Sequence, residues 1–213
     1  MNVPLDYWTK GHKRYESKEW ASKPTIFSSI AIEHFPESGK VIDLGAGLGQ
    51  DSIFFAQSGY NVILTDINAK AFEVARKIAG DLDIDYEVVD LQDPLPFDDS
   101  IFDVVYSHLG LHYFNEEDTR GIFKEIHRVL KPDGVIAALF NTIEDPEIDS
   151  SDFEKLEDHF YIEKPTGLKK AYFDTEYAKR MTSGLFEPIL LDAKGETYKD
   201  DIKTLIRFIG SKA

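Results

Sequence analysis

One segment limits the possible folds more than any other. The apolar run Val41-Ile42-Asp43-Leu44 breaks abruptly into Gly45-Ala46-Gly47-Leu48-Gly49. A short, near-continuous apolar run reads as a strand buried on both faces, the mark of a parallel sheet. Glycines at alternate positions directly after it predict a tight turn that a ligand can approach closely, because glycine carries no side chain and enters backbone conformations closed to other residues. Residues 50–58 then read as a helix, with Ile53, Phe54 and Ala56 facing inward and Gly59 as the stop.

The same alternation runs along the chain. Strands are predicted at 41–44, 61–67, 84–91, 102–108 and 135–141. The helix between the second and third is capped by Asn68 and ends at Gly80, and Glu116–Leu130 has apolar residues at helical spacing. Ahead of the first strand, residues 24–35 read as a helix with Ser22 or Lys23 at the cap and Pro24 in the first turn. Lys131-Pro132-Asp133-Gly134 reads as a turn in which proline presets one φ and glycine tolerates the other. Residues 143–163 hold nine carboxylates and one basic residue, Lys155, and read as an insertion over the sheet rather than a structural layer. A short helix at 175–183 is followed by strands at 189–197 and 202–209, which a short turn makes antiparallel. The expected fold is therefore α/β: a doubly wound, seven-stranded, mostly parallel, Rossmann-like sheet with a C-terminal antiparallel hairpin. One domain is expected, divided into an N-terminal helical cap (1–39), a cofactor-binding core (40–142), an acidic insertion or lid (143–173) and a C-terminal helix with hairpin (174–213).

Charge narrows the ligand. The 213 residues carry a net charge of −15, and the most basic stretch, 10–23, is interrupted by Glu16 and Glu19. A nucleic-acid partner calls for a basic face, so none is expected. With no cysteine, thiolate catalysis and cysteine-based metal sites drop out, and no metal site is predicted. No apolar stretch approaches the roughly 20 residues that span a bilayer, and the N-terminus lacks the apolar region of a signal peptide. The expectation is a cytoplasmic protein without a membrane partner. Nothing in the sequence sets an oligomeric state.

In such a sheet, ligands bind beyond the carboxyl ends of the strands. A nicotinamide dinucleotide fingerprint, G-x-G-x-x-G, would place its third glycine at position 50, where this chain has Gln50; the third glycine comes one residue early, at Gly49. Asp43, two residues before the first glycine, also suits a cationic ligand better than a pyrophosphate. This acid-plus-G-x-G-x-G pattern resembles the first motif of the class I S-adenosylmethionine-dependent methyltransferases. Asp66 at the end of the second strand, Asp90-Leu91 after the third, Phe97–Val105 leading into the fourth, and Leu130–Gly134 before the fifth resemble the family's later motifs in order, over about residues 40–142. The likeness is strongest to its small-molecule, ubiquinone/tellurite-resistance-type group.

The resemblance implies S-adenosylmethionine as cofactor, held by Asp43, Gly45, Ala46, Gly47, Gly49 and Ser107, with Asp66 and Ile67 at the ribose and Asp90 and Leu91 at the adenine. Asp90 has a second reading, as a cap of the loop that follows. Methyl transfer from a sulfonium needs a general base only if the acceptor carries a proton. The candidates are His108, His112 and Tyr113; Gly110 argues against the histidines sharing a helix as a metal pair. Both histidines have the alternative of lining the pocket or facing solvent. The Asn/Asp-Pro-Pro-Tyr/Phe signature of amino-methylating relatives is missing. Tyr7, Trp8 and Tyr15 are an aromatic cluster suited to covering a cation or to packing the N-terminal segment. Acceptor contacts are expected from 1–35 and 143–172, with Phe160, Tyr161 and Tyr172 as walls. Two other readings stand beside methyl transfer: a nicotinamide-dependent oxidoreductase, and a protein that binds S-adenosylmethionine without turnover.

Overall fold

The computed structural model describes residues 5–15, 18, 21, 23–198 and 204–213. Its centre is a seven-stranded sheet built from β1 (Lys40–Leu44), β2 (Asn61–Asp66), β3 (Ile84–Val88), β4 (Phe102–His108), β5 (Leu130–Phe140), β9 (Phe186–Gly195) and β10 (Leu205–Lys212), in the order β3-β2-β1-β4-β5-β10-β9. The first five strands pair in parallel, and β10 runs antiparallel to both β5 and β9. The mixed sheet and the C-terminal hairpin agree with the sequence reading. Strand order reverses between β1 and β4, which is where ligands settle in doubly wound sheets.

Both faces are covered, and the alternation of side chains along each strand decides which residue meets which layer. On one face Val41, Val104 and Tyr106 pack with Phe27, Ile53, Phe55 and Phe72, from α2 (Ile26–Ala31), α3 (Gln50–Gln57) and α4 (Ala71–Ala79). On the other, Ile42, Leu44 and Val105 pack with Ile122, Phe123 and Ile126 of α5 (Glu116–Val129) and Tyr177 of α6 (Thr175–Thr182). The helix α5 shows why its sequence folds as it does. Thr119, Ile122, Phe123, Ile126 and Val129 form one buried stripe, the Asn115 side chain accepts the Asp118 N–H, and Glu116, Glu117 and Asp118 sit in the positive first turn.

Several details depart from the sequence reading. Lys70, not Asn68, is the N-cap of α4, and the Asn68 side chain accepts the Lys70 N–H at 3.2 Å. The strand β3 ends at Val88 rather than at position 91. The helix before β1 starts at Ile26, and its cap is Thr25, whose hydroxyl accepts the Ser28 N–H, rather than Ser22 or Lys23. In α3 it is Phe55 that is fully buried, while Phe54 is only partly so. Residues 131–134 form a bulge inside β5, where the register steps from Phe102↔Leu130 to Val104↔Val135. There Asp133, not Gly134, takes the left-handed conformation (φ 62°); a Cβ on Gly134 would meet the Lys131 carbonyl oxygen at 2.9 Å. Asp103 steadies the bulge, accepting Lys131 Nζ and the Lys40 N–H.

The last departure is the largest. The acidic segment is a structural layer: β6 (Phe153–Glu157), β7 (Phe160–Glu163) and β8 (Leu168–Ala171) form a separate antiparallel sheet. Phe160, Ala171 and Phe173 join the core beside α5 and α6, and Phe173 stacks on Phe140 at 4.2 Å. The sheet also ties down the strand ends below it, as Ala171 donates to the His112 carbonyl and Phe173 to that of Asn141. Phe160 and Tyr172 are 4% and 0% exposed, so they fill this layer instead of walling a pocket. Tyr161 is partly exposed.

Candidate active site

The turn after β1 has the predicted backbone. Gly45, Gly47 and Gly49 have φ of 72°, 56° and 78°, all in the left-handed region. The Ala46 N–H bonds the Thr65 carbonyl at 2.8 Å, so the turn is pinned against β2. A Cβ on Gly45 would come within 3.2 Å of Gly110 Cα, where the loop after β4 meets the turn. Gly49 gives α3 its close approach to β2 and α4: a Cβ there would meet Leu64 Cδ1 at 2.5 Å and Ala75 Cβ at 3.0 Å.

A cleft opens over these strand ends. Of the predicted cofactor residues, Gly45, Asp66, Ile67, Asp90 and Leu91 line it, and of the predicted catalytic groups, Tyr113 does. The Asp66 carboxylate is fixed at both oxygens, Oδ2 accepting the Gly47 N–H at 2.9 Å and Oδ1 the Asn68 N–H at 2.8 Å. Asp90 Oδ1 accepts the Gln92 N–H at 3.0 Å, so the loop-capping role is present at the cleft wall. Ala46, Gly47 and Gly49 shape the turn without lining the cleft. Ser107 is buried behind it and donates to the Leu44 carbonyl at 2.7 Å, supporting the strand end from below.

Two of the three catalytic candidates are set back from the cleft. His112 is 1% exposed, and its Nδ1 accepts the Asn141 N–H at 3.4 Å. Burial, then the nearby Lys170 and His108, holds its pKa well below the usual histidine range, so it is neutral with the proton on Nε2. His108 is half-buried at the end of β4. Tyr113 meets Trp8 edge-on at 4.8 Å, and Trp8 in turn meets Tyr7 at 5.2 Å. Trp8 lines the cleft from α1 (Leu5–Tyr15), so the aromatic cluster forms with Tyr113 as its third member. The Tyr15 side chain lies outside the described residues.

Sequence reasoning missed Val89, Gln92, Leu109, Gly110 and Phe114, which also line the cleft. Leu109 has φ 58°, a strained conformation for a leucine and one with no sequence signal. Gly110 was legible only as a helix breaker, yet a Cβ there would strike the Leu44 carbonyl oxygen at 2.6 Å.

The donor set fits an adenosyl sulfonium. Apolar Ile67 and Leu91 each adjoin a carboxylate, Asp66 or Asp90, suiting a base and sugar edged by hydroxyl and amino donors. Among the described lining residues there is no lysine or arginine to meet a pyrophosphate. Below the turn, Asp43 is 2% exposed; Ser52 donates to its Oδ2 at 2.6 Å, and Oδ1 has no protein donor among the described residues. Burial first and the neighbouring Asp51 second push this carboxyl well above the usual carboxylate range.

Comparison with known proteins agrees with this geometry. Residues 41–134 match the methyltransferase domain family. A demethylmenaquinone methyltransferase of Clavibacter sepedonicus is 38% identical over 105 residues, 48% of this chain and 42% of that protein. The tRNA 5-carboxymethoxyuridine methyltransferase of Escherichia coli is 27% identical over 115 residues, 52% of this chain and 43% of that one. The chain spans about half the length of the curated relatives it matches. In structure, the 1,6-didemethyltoxoflavin-N1-methyltransferase of Burkholderia thailandensis, bound to its toxoflavin precursor and S-adenosylhomocysteine, superposes with a TM-score of 0.75. It covers 99% of this chain and 88% of its own at 16% identity, a likeness of fold. Over residues 41–134 the chain is therefore similar to methyltransferase domains, on a Rossmann-like α/β fold. No described helix is long and apolar enough to cross a membrane.

Proposed function

We propose that this chain transfers the methyl group of S-adenosylmethionine to a small-molecule acceptor. The observation that carries the reading is the Asp66 carboxylate, held on the cleft wall by the Gly47 and Asn68 N–H groups in a cleft with acids and no cation among its described lining. Asp66 would take the ribose hydroxyls, Asp90 the adenine amino edge, and Ile67 and Leu91 the apolar faces. When bound, the cofactor supplies a methyl group already activated by the sulfonium charge. Trp8 and Tyr113 present aromatic faces that attract such a cation and exclude water. The protein's remaining contribution is alignment of acceptor and methyl, which is worth several kcal/mol. For a protic acceptor, Tyr113 is the titratable candidate that reaches the cleft, and neutral His112 holds the loop behind it.

Net charge −15 supports a neutral or cationic small molecule over a nucleic acid, as do the acceptors named for the quinone and toxoflavin relatives. The tRNA-modifying relative makes RNA the rival acceptor to test. The same reading takes the chain as one domain with a cap (1–39), a cofactor core (40–142), an acidic segment (143–173) and a C-terminal unit (174–213), and assigns the protein to the cytoplasm. A methylation screen tests it, with metabolite extract in one arm and tRNA in the other, read by release of S-adenosylhomocysteine and a one-methylene mass gain. Methylation of a small molecule is expected; methylation of tRNA alone overturns the acceptor class. Cofactor binding without release from either arm points to a non-catalytic binding protein.

A further inference from the structure

On the α3 side of the sheet, under the glycine turn, lies a buried polar cluster that methyl transfer as described does not use. Its centre is Asp51, the second residue of α3, 4% exposed. Asp51 accepts three hydrogen bonds: the Thr25 N–H at 2.7 Å, the Thr25 hydroxyl at 2.9 Å and the Tyr106 hydroxyl at 2.7 Å. All three donors are neutral, so a carboxylate is held inside the protein by hydrogen bonds alone from these partners. Burying such a group is costly, and an apolar side chain of similar size would serve packing better. The placement therefore asks for a role beyond packing.

The three bonds join elements far apart in sequence. Thr25 is the N-cap of α2, on the stretch of chain that follows α1. Tyr106 lies on β4 and is fully buried, with its ring stacked on Phe27 of α2 at 5.7 Å and edge-on to Phe55 of α3 at 4.9 Å. Asp51 itself sits two residues past Gly49, and its neighbour Ser52 bonds Asp43. Upstream of Thr25, α1 brings Trp8 to the cleft and makes two contacts with the elements around it. Trp8 packs on Tyr113, while the Asn68 side-chain amide donates to the Thr9 hydroxyl at 3.4 Å. Asn68 is also the residue whose N–H fixes Asp66.

We propose that Asp51 is a positioning residue that couples closure of α1 over the cleft to cofactor binding, by pinning Thr25, the base of the segment that carries α1, to the start of α3. The proposal rests on the methyl-transfer reading of the cleft. Movement of α1 and ordering of the glycine turn then share one anchor, so a cofactor that orders the turn also favours the closed position of Trp8.

The full-length chain tests this with Trp20→Phe as the parent, which leaves Trp8 as its one tryptophan, since the sequence holds two. S-adenosylhomocysteine affinity and Trp8 emission are measured for the parent, Asp51→Asn, Thr25→Val, Thr25→Ser, Tyr106→Phe, and the remote core variant Phe123→Leu as a stability control. The parent should bind with a shift in Trp8 emission. Asp51→Asn and Thr25→Val should bind at least five-fold more weakly and lose most of the shift. Tyr106→Phe, which removes one of three bonds and keeps the ring, should fall between, and Thr25→Ser should restore both readouts. Phe123→Leu should lower the melting temperature and leave both unchanged. Parent-like affinity and shift in Asp51→Asn or in Tyr106→Phe overturn the coupling, as does equal loss in Phe123→Leu. A parent that does not bind at all removes the cofactor reading itself, a separate outcome.

Discussion

The Gly47 N–H donates to Asp66 Oδ2 at 2.9 Å, and this bond joins the turn after β1 to the carboxylate that ends β2. Its consequence is that the turn and the proposed ribose acceptor are set in place together. Asp66→Ala removes the acceptor and leaves the Gly47 N–H without that partner. It should weaken S-adenosylhomocysteine binding by about 1–3 kcal/mol, the scale of charge-assisted hydrogen bonds. Calorimetry on the variant, with its fold checked by circular dichroism, reads this directly. A folded variant with parent affinity would remove Asp66 from the ribose.

Gly49 is a glycine whose replacement should cost stability. Alanine there must keep φ near 78° and set its Cβ 2.5 Å from Leu64 Cδ1. Left-handed strain and overpacking together predict a loss of about 2–4 kcal/mol in urea unfolding. A loss under half a kcal/mol would mean that the turn adapts.

Asp43 sets function against stability. Its folded-state pKa is raised above the unfolded value by burial and by Asp51. Between those two values the folded chain binds more protons than the unfolded one, so this group's contribution to stability falls as pH rises through that window. Asp43→Asn keeps an acceptor for Ser52 and removes the titration. Its stability relative to the parent should therefore improve from pH 4 to pH 7. Paired urea titrations at the two pH values check the sign. A variant that loses ground to the parent as pH rises would contradict the raised pKa.

Arg128 clamps the loop that leads into β4. It donates to the carbonyls of Leu95 and Phe97 and to the carboxylates of Glu125 and Asp99. Lysine cannot reproduce that fork. Arg128→Lys should cost about 1–2 kcal/mol and speed amide exchange at Ile101, whose N–H is bonded to Val129. Unchanged exchange there would show that the loop holds without the clamp.

What the sequence made legible follows from how local each signal is. The glycine turn, the strands before and after it, and the stripe of α5 are written in neighbouring residues, and they appear where expected. The cap at Thr25 was misplaced because its quality depends on Asp51, 26 positions away. The acidic segment read as an insertion over the sheet because its nine carboxylates outnumber its apolar side chains. Its layer is held by three, Phe160, Ala171 and Phe173, that reach a core made by other elements. At the site, Asp66, Ile67, Asp90 and Leu91 were proposed from the family resemblance, and all four line the cleft at or just beyond the ends of β2 and β3. Whether Ser107 and His112 face the ligand or the interior is decided by the Leu44 carbonyl and the Asn141 N–H, which no spacing rule reveals.

The central claim is that the cleft beside Gly45 and Asp66 is an adenosyl sulfonium site and not a dinucleotide site. Titration calorimetry of the purified chain with S-adenosylhomocysteine, beside a parallel titration with NADH, measures it most directly. Saturable binding of one S-adenosylhomocysteine per chain with no heat from NADH is the predicted result. Binding of NADH with none of S-adenosylhomocysteine would contradict it.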